Sequence, residues 1–255
     1  MDFLQGRLRP VIIAHRGSSA SAPENTMVAF RLAVEEGAEM IELDVRMSRD
    51  GELVVHHDRW LGRTSNGRGR IIEHSLRELR RVDAGRWFGR SFAGEPIPLL
   101  EEVLAWLPPS IGLNVEVKTD GDRRRAVVIA PAVLRVLRAS GAIDRILLSS
   151  FDHTFLQVAH SGTPCRPAIG ALVSSLAVPR SRPLAIARRT GASVLILHRR
   201  ALRARFAQKA HGAGMGLVCY GMEHRAHLDA VRHRRLDGMI TNNPARLRRL
   251  LEEGG

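Results

Sequence analysis

The stretch that decides the fold reads Met40-Ile41-Glu42-Leu43-Asp44-Val45-Arg46-Met47-Ser48-Arg49-Asp50-Gly51-Glu52-Leu53-Val54-Val55-His56-His57-Asp58. Two apolar alternations, Met40–Met47 and Leu53–His57, flank Asp50-Gly51. An Asp-Gly pair between such runs signals a hairpin with a two-residue turn. That turn sets Asp44 across from His57. Side chains alternate along a strand, so Glu42, Asp44 and His57 share one face of the ribbon and His56 takes the other.

Outward from the hairpin, short runs rich in Val, Ile and Leu recur at Val11–His15, Gly112–Lys118, Ile146–Phe151, Ala168–Val173, Val194–His198, Gly216–Tyr220 and Asp237–Thr241. Helical patterns lie between them, at Asn25–Glu36, Leu99–Leu107, Ala126–Ala139, Phe155–His160, Leu184–Thr190, Ala201–His211 and Arg225–His233. Alternating strands and helices predict an α/β fold with a parallel sheet. Setting the return strand of the hairpin aside leaves eight strands that can run parallel, which fits a (β/α)8 TIM-type barrel. An open doubly wound sheet is the alternative. It lacks support, because His15-Arg16-Gly17-Ser18-Ser19 after the first strand is not a dinucleotide-binding glycine fingerprint. Residues 59–98 interrupt the alternation with a Gly- and Arg-rich segment. Its one helical piece, Ser75–Val82, opens on a Ser75/Glu78 capping box. This segment is expected to be a small insertion over the strand ends, with too few apolar residues for a core of its own. The expectation is one barrel domain over residues 8–250, with Val178–Pro183 its only linker-like stretch.

Composition narrows the function. The chain has 255 residues, 44% of them hydrophobic but only 4% aromatic, so its core must be aliphatic. No run of about 18 apolar residues exists, so no transmembrane segment is expected. The first ten residues lack the apolar stretch of a signal peptide. Cys165 and Cys219 match no metal or redox spacing, which suits a reducing, cytoplasmic setting. The formal charge is +13, and 37 of the 39 basic residues are arginine. These arginines are scattered, and the denser runs at 123–125 and 199–205 carry no interleaved aromatics to stack on bases. Codon bias explains them better than nucleic acid, and no nucleic-acid partner is expected. In a chain that writes arginine almost everywhere, Lys118 inside an apolar strand stands out as required.

In a barrel the active site lies at the C-terminal strand ends. Four neighbouring ends there supply His15 and Arg16, Glu42 and Asp44, His57, and Glu116 with Lys118. Glu-x-Asp points two carboxylates one way, and Glu116 joins them from the next strand. Three clustered carboxylates cannot all stay ionised without a cation. Oxygen ligands suit a hard divalent metal, Mg2+ or Ca2+, on Glu42, Asp44 and Glu116. With that ion, Arg16 and Lys118 the site carries a single net positive charge, matched to the single negative charge of a phosphodiester. Arg16 can grip phosphoryl oxygens with its fork while Lys118 acts as a point charge. His15 and His57 are placed to divide general-base and general-acid roles, and the sequence does not say which is which. His56 reads as structural, and His211, His224, His227 and His233 as surface residues.

The chain resembles the glycerophosphodiester phosphodiesterase family. The likeness is carried by His15-Arg16-Gly17, Pro23-Glu24-Asn25-Thr26, Glu42-Leu43-Asp44-Val45, Asp50-Gly51, Val54 to Asp58, Glu116-Val117-Lys118 and Ser150-Phe151-Asp152, in order over residues 11–246. The segments 63–69 and 76–85 resemble the insertion of that family. The resemblance implies a phospholipase-C-like barrel, a divalent metal on Glu42, Asp44 and Glu116, and catalysis by His15 and His57. It also implies hydrolysis of glycerophosphodiesters to sn-glycerol 3-phosphate and an alcohol. Two departures bear on the preferred alcohol. Cys219-Tyr220-Gly221-Met222 stands where many members carry a tryptophan, and Asn242 stands where they often have aspartate. A lysophospholipase D or phospholipid-cleaving activity is the second reading, for which the insertion offers Trp60, Leu61, Trp87 and Phe88.

Overall fold

The computed structural model describes residues 4, 9–161, 166–174, 183–229 and 231–253. Cys165, residue 8 and residues 178–182 of the linker-like stretch lie outside them. Eight strands run parallel in a closed ring: β1 (Val11–His15), β2 (Met40–Met47), β4 (Gly112–Val117), β5 (Ile146–Ser150), β6 (Ala168–Val173), β7 (Val194–His198), β8 (Gly216–Tyr220) and β9 (Gly238–Thr241). Pairing of β1 with both β2 and β9 closes the barrel. The expected (β/α)8 architecture is the one observed. The surrounding helices include α1 (Met27–Glu35), α3 (Leu100–Trp106), α4 (Arg123–Ala139), α5 (His153–Ser161), α6 (Pro183–Thr190), α7 (Ala204–Gly212), α8 (Arg225–Asp229) and α9 (Pro244–Glu252).

Strand alternation divides the core into two layers. Ile41, Leu43 and Val45 of β2 point outward with Leu113, Val115 and Val117 of β4, and pack under the helices. Ile13, Met40, Leu147, Leu172, Ile196, Val218 and Ile240 point inward and plug the barrel. The inward phase continues above that plug as Glu42, Asp44, Asn114 and Glu116, so polar side chains collect only at the C-terminal mouth.

The short strand β3 (Leu53–Val55) explains why β2 is long. The last partner of β1 on β2 is Glu42, opposite His15. Beyond it the free edge of β2 pairs antiparallel with β3, outside the ring of eight. Here the structure corrects the expected register. Val45 faces Val55, Arg46 faces Val54 and Met47 faces Leu53, so the backbone of Asp44 meets His56, not His57. The turn holds three residues, Arg49-Asp50-Gly51, and Gly51 takes the left-handed conformation at φ 88°. Ser48 closes it by accepting the Glu52 N–H at 2.9 Å. Such a loop adds one residue relative to a two-residue turn and slips the pairing by one.

The insertion holds one short α-helix, α2 (Leu76–Leu79), with the expected Ser75/Glu78 capping box, and 3-10 turns at Ile71–Glu73 and Arg90–Phe92. Its few apolar residues form a small cluster on the hairpin: Leu61, Ile71, Leu79, Ala84 and Ile97 pack around Val54 of β3. The hairpin thus supplies the anchor that the segment lacks by itself.

Candidate active site

Each expected site residue reaches the barrel mouth. Ligand oxygens of Glu42, Asp44 and Glu116 lie within 4.8 Å of one another, and all three residues are buried. Lys118 lies 2.9 Å from Asp44 Oδ1 and also contacts Glu116 Oε1. Arg16 Nε lies 3.2 Å from Asp44 Oδ2, and the Arg16 backbone N–H donates to Glu42 Oε2 at 3.0 Å. That inward turn of the chain is set just after β1. Arg16 has φ 58° and Gly17 φ 81°, where a Cβ on Gly17 would sit 2.6 Å from the backbone of Ala29. Only glycine allows the loop to rest against α1 this closely.

The two histidines are backed differently. His15 Nδ1 sits 2.7 Å from Asn242 Oδ1, which also accepts from Ser19 Oγ at 3.0 Å. The amide oxygen therefore receives the Nδ1 proton and leaves Nε2 unprotonated, 4.0 Å from Glu42. His57 Nδ1 lies 2.6 Å from the Asp58 carboxylate, which Arg63 braces at 2.6 Å. His57 reaches the pocket in spite of the slipped register because β3 stops at Val55, so strand alternation no longer governs its direction. His56 is buried elsewhere, with its ring nitrogens 2.9 Å from Asp58 O and 3.3 Å from Thr64 Oγ1.

The electrostatics single out the acidic cluster. Burial opposes ionisation of Asp44, yet Lys118 and Arg16 outweigh it and hold that carboxyl well below its usual range. Burial and the neighbouring carboxylates push Glu42 well above the ordinary value, and burial raises Glu116 too. Burial works against the Lys118 charge, but Asp44 and Glu116 keep the ammonium protonated. Burial, helped by Arg16, pushes His15 down to about 4. Burial lowers His57 as well, against the pull of Asp44 and Asp58. Glu42 Oε1 is buried without a hydrogen-bond partner among the described residues. An open carboxylate lone pair beside two further acids is what a divalent cation would complete, so the residues present fit a metal ion.

The model of the glycerophosphoryl diester phosphodiesterase family matches residues 15–246, and every motif residue above falls within that span. The chain belongs to this family. A glycerophosphodiester phosphodiesterase of Caldanaerobacter subterraneus subsp. tengcongensis is 32% identical over 97% of this chain and 100% of its own length. Among solved structures, an Oleispira antarctica phosphodiesterase in complex with the product sn-glycerol-3-phosphate superposes with a TM-score of 0.87. It is 30% identical and covers 95% of this chain and 97% of its own. A glycerophosphodiester phosphodiesterase of Agrobacterium tumefaciens gives 0.78 at 28% identity, covering 93% of this chain and 98% of its own. The enzyme is therefore a phosphodiesterase acting on glycerophosphodiesters, small-molecule substrates. No helix among the described residues is long and apolar enough to cross a membrane.

Several residues that build the candidate site escape a reading of strand ends. Asn25, at φ 60°, donates from Nδ2 to Asp44 Oδ2 at 2.8 Å and accepts the Asp44 N–H at 3.2 Å. Glu24 accepts from Arg16 at 2.8 Å and from Arg63 at 2.7 Å, and so ties the loop after β1 to the insertion. The short tetrapeptide around Glu24 and Asn25 is the signal that could have found them. The pocket itself encloses about 170 Å³, with Phe151 and Tyr220 as aromatic wall. Tyr220 belongs to the strand end that departs from the family pattern, and its ring packs edge-on to His198 at 5.1 Å.

Proposed function

We propose that this chain hydrolyses glycerophosphodiesters to sn-glycerol 3-phosphate and an alcohol, with a divalent metal on Glu42, Asp44 and Glu116 and with His15 and His57 as base and acid. The observation that carries the reading is the contrast behind the two imidazoles. Asn242, a neutral amide, leaves His15 as the Nδ1–H tautomer with a free Nε2, the form a general base needs. Burial lowers His57 overall, and the Asp58 carboxylate pulls against it toward the charged form, the form a general acid needs. His15 Nε2 takes the proton of the attacking hydroxyl, and His57 returns one to the departing alkoxide. Arg16 and Lys118 hold the phosphoryl oxygens and the charge that develops on them. The three carboxylates would hold Mg2+ or Ca2+, which supplies Lewis-acid polarisation of the phosphodiester. The same reading treats residues 8–250 as one domain and the enzyme as cytoplasmic.

The test is the pH profile of kcat/KM. A base and an acid give a bell, with its acid limb set by His15 and its alkaline limb by His57. Asn242→Asp puts a carboxylate beside His15, which raises that imidazole and moves the acid limb to higher pH. Asp58→Asn removes the carboxylate behind His57 and moves the alkaline limb to lower pH. If Asn242→Asp moves the alkaline limb instead, the two roles are reversed. A second check uses a nitrophenyl phosphodiester, whose good leaving group needs little protonation. It should rescue His57→Ala and not His15→Ala.

A further inference from the structure

Beside the catalytic pocket lies a second groove of about 240 Å³, and Lys118 lines both. Met47, Ile71, Ile72, Val128 and Ile129 supply its apolar lining. Arg46, Arg59, Arg70, Arg124 and Arg125 surround it, with Asp120 the acid among its lining residues. Asp120 is taken up by Arg46 at 2.8 Å and Arg125 at 2.9 Å, and Arg70 pairs with Glu73 at 2.7 Å. Arg59 and Arg124 are exposed and have no carboxylate partner among the described residues. The catalytic reading uses none of these arginines.

Part of the exposed apolar surface lies at this groove: Val128 lines it and Val127 precedes Val128 on α4, whereas Trp87, 40% exposed, is not among its lining residues. Val127 and Val128 on the outer face of α4 are 56% and 62% exposed, Trp60 is 50% exposed, and Phe151 at the catalytic pocket is 45% exposed. The guanidinium groups of Arg59 and Arg70 each lie 5.9 Å from the Trp60 ring centre, which ties Trp60 to the groove. A soluble enzyme that meets only small polar diesters gains nothing from leaving this much apolar surface in water around its mouth.

We propose that this face docks on a lipid surface rich in anionic phospholipid, with Trp60, Val127 and Val128 entering the headgroup boundary and Arg59 and Arg124 receiving lipid phosphates. Apolar side chains ringed by arginine are what an anionic interface rewards, since apolar burial and phosphate attraction add. Charge decides against the other occupants. A second copy of a chain at +13 would meet its own like charge on this face. A nucleic-acid strand would find the valines useless and Trp60 alone as an aromatic ring to stack on at this groove. The proposal is independent of which histidine is base.

Sedimentation of the intact protein with vesicles of phosphatidylcholine, with and without phosphatidylglycerol, tests it. Binding should be at least about tenfold tighter when phosphatidylglycerol is present, since each arginine near an anionic surface is worth roughly fivefold. Arg59→Glu with Arg124→Glu should weaken it by about tenfold or more. Val127→Ser with Val128→Ser should weaken it by about fivefold, because apolar insertion is lost while charge is kept. Arg188→Glu with Arg189→Glu, in the last turn of α6 at the opposite end of the barrel, should change it less than about threefold. All three variants should hydrolyse soluble glycerophosphocholine at the wild-type rate, which separates a docking defect from misfolding or loss of the active site. Equal binding to both vesicle types, no binding, or an equal loss in the α6 variant would overturn the proposal.

Discussion

Lys118 is one of two lysines in a chain with 37 arginines, and its ammonium lies between Asp44 and Glu116. A point charge on a slim stem fits between two buried acids, whereas a planar guanidinium needs more room and a different approach. Lys118→Arg is therefore expected to lower kcat/KM by about a hundredfold, the scale of a lost electrostatic stabiliser, with circular dichroism unchanged. A fully active variant would show that charge alone suffices at this position. The clustering of Glu42, Asp44 and Glu116 could be read from strand ends, because residue type and alternation put them on one inward face, whereas His57 lies past the end of β3 where alternation no longer acts. The residues that hold them could not. Asn242 meets His15 across 227 positions of sequence, and Asn25 meets Asp44 from a loop with no periodic pattern. Such contacts follow from closure of the ring, which no local pattern encodes.

At the level of elements, the turns are where sequence and structure part. The Asp50-Gly51 pair marks the hairpin correctly, yet both a two-residue and a three-residue turn accept it, and the choice moves every pair by one. Likewise α4 opens at Arg123 on the Asp122 cap, not at Ala126, because Asp122 accepts the Arg124 N–H at 2.9 Å and draws three arginines into the first turn. Two glycines with similar backbone angles allow a sharp test of what a turn contributes. Gly51 has nothing within 4 Å of an added Cβ, so Gly51→Ala meets only left-handed strain and should cost about 1 kcal/mol with activity intact. Gly17→Ala adds a clash with the α1 backbone to the same strain. It should cost roughly 3 kcal/mol and reduce turnover sharply, because the displaced segment carries His15 and Arg16. Denaturant unfolding of both variants beside kcat decides it. Equal costs would mean that α1 shifts to make room.

For the whole molecule, the barrel buries three acids and is left with too little positive charge to ionise all of them. Glu42 bears the consequence, since burial and Asp44 raise it. A carboxyl that is raised on folding subtracts stability as pH climbs above its unfolded value, and the loss stops growing only once the folded group has also ionised. Without a cation, the folded protein at neutral pH therefore carries either a protonated Glu42 or a costly charge. A divalent ion held by the three acids would remove that choice and would bind the native state alone. At a hundredfold above its Kd it would stabilise by about 2.7 kcal/mol, or roughly 5–10 °C in Tm for a chain of this length. Glu42→Gln resembles the protonated form in shape and leaves no charge to bury. It should melt at or above the ion-free wild type, show no decline in stability over the pH range where Glu42 ionises, and lose most of the Tm gain from Mg2+ or Ca2+. Its activity should fall by at least about a hundredfold. Differential scanning calorimetry of chelated and ion-loaded protein, with and without the substitution, separates these terms. A Tm indifferent to both ions in the wild type would remove the metal from the site, and an ion-induced rise kept in full by Glu42→Gln would place the ion elsewhere.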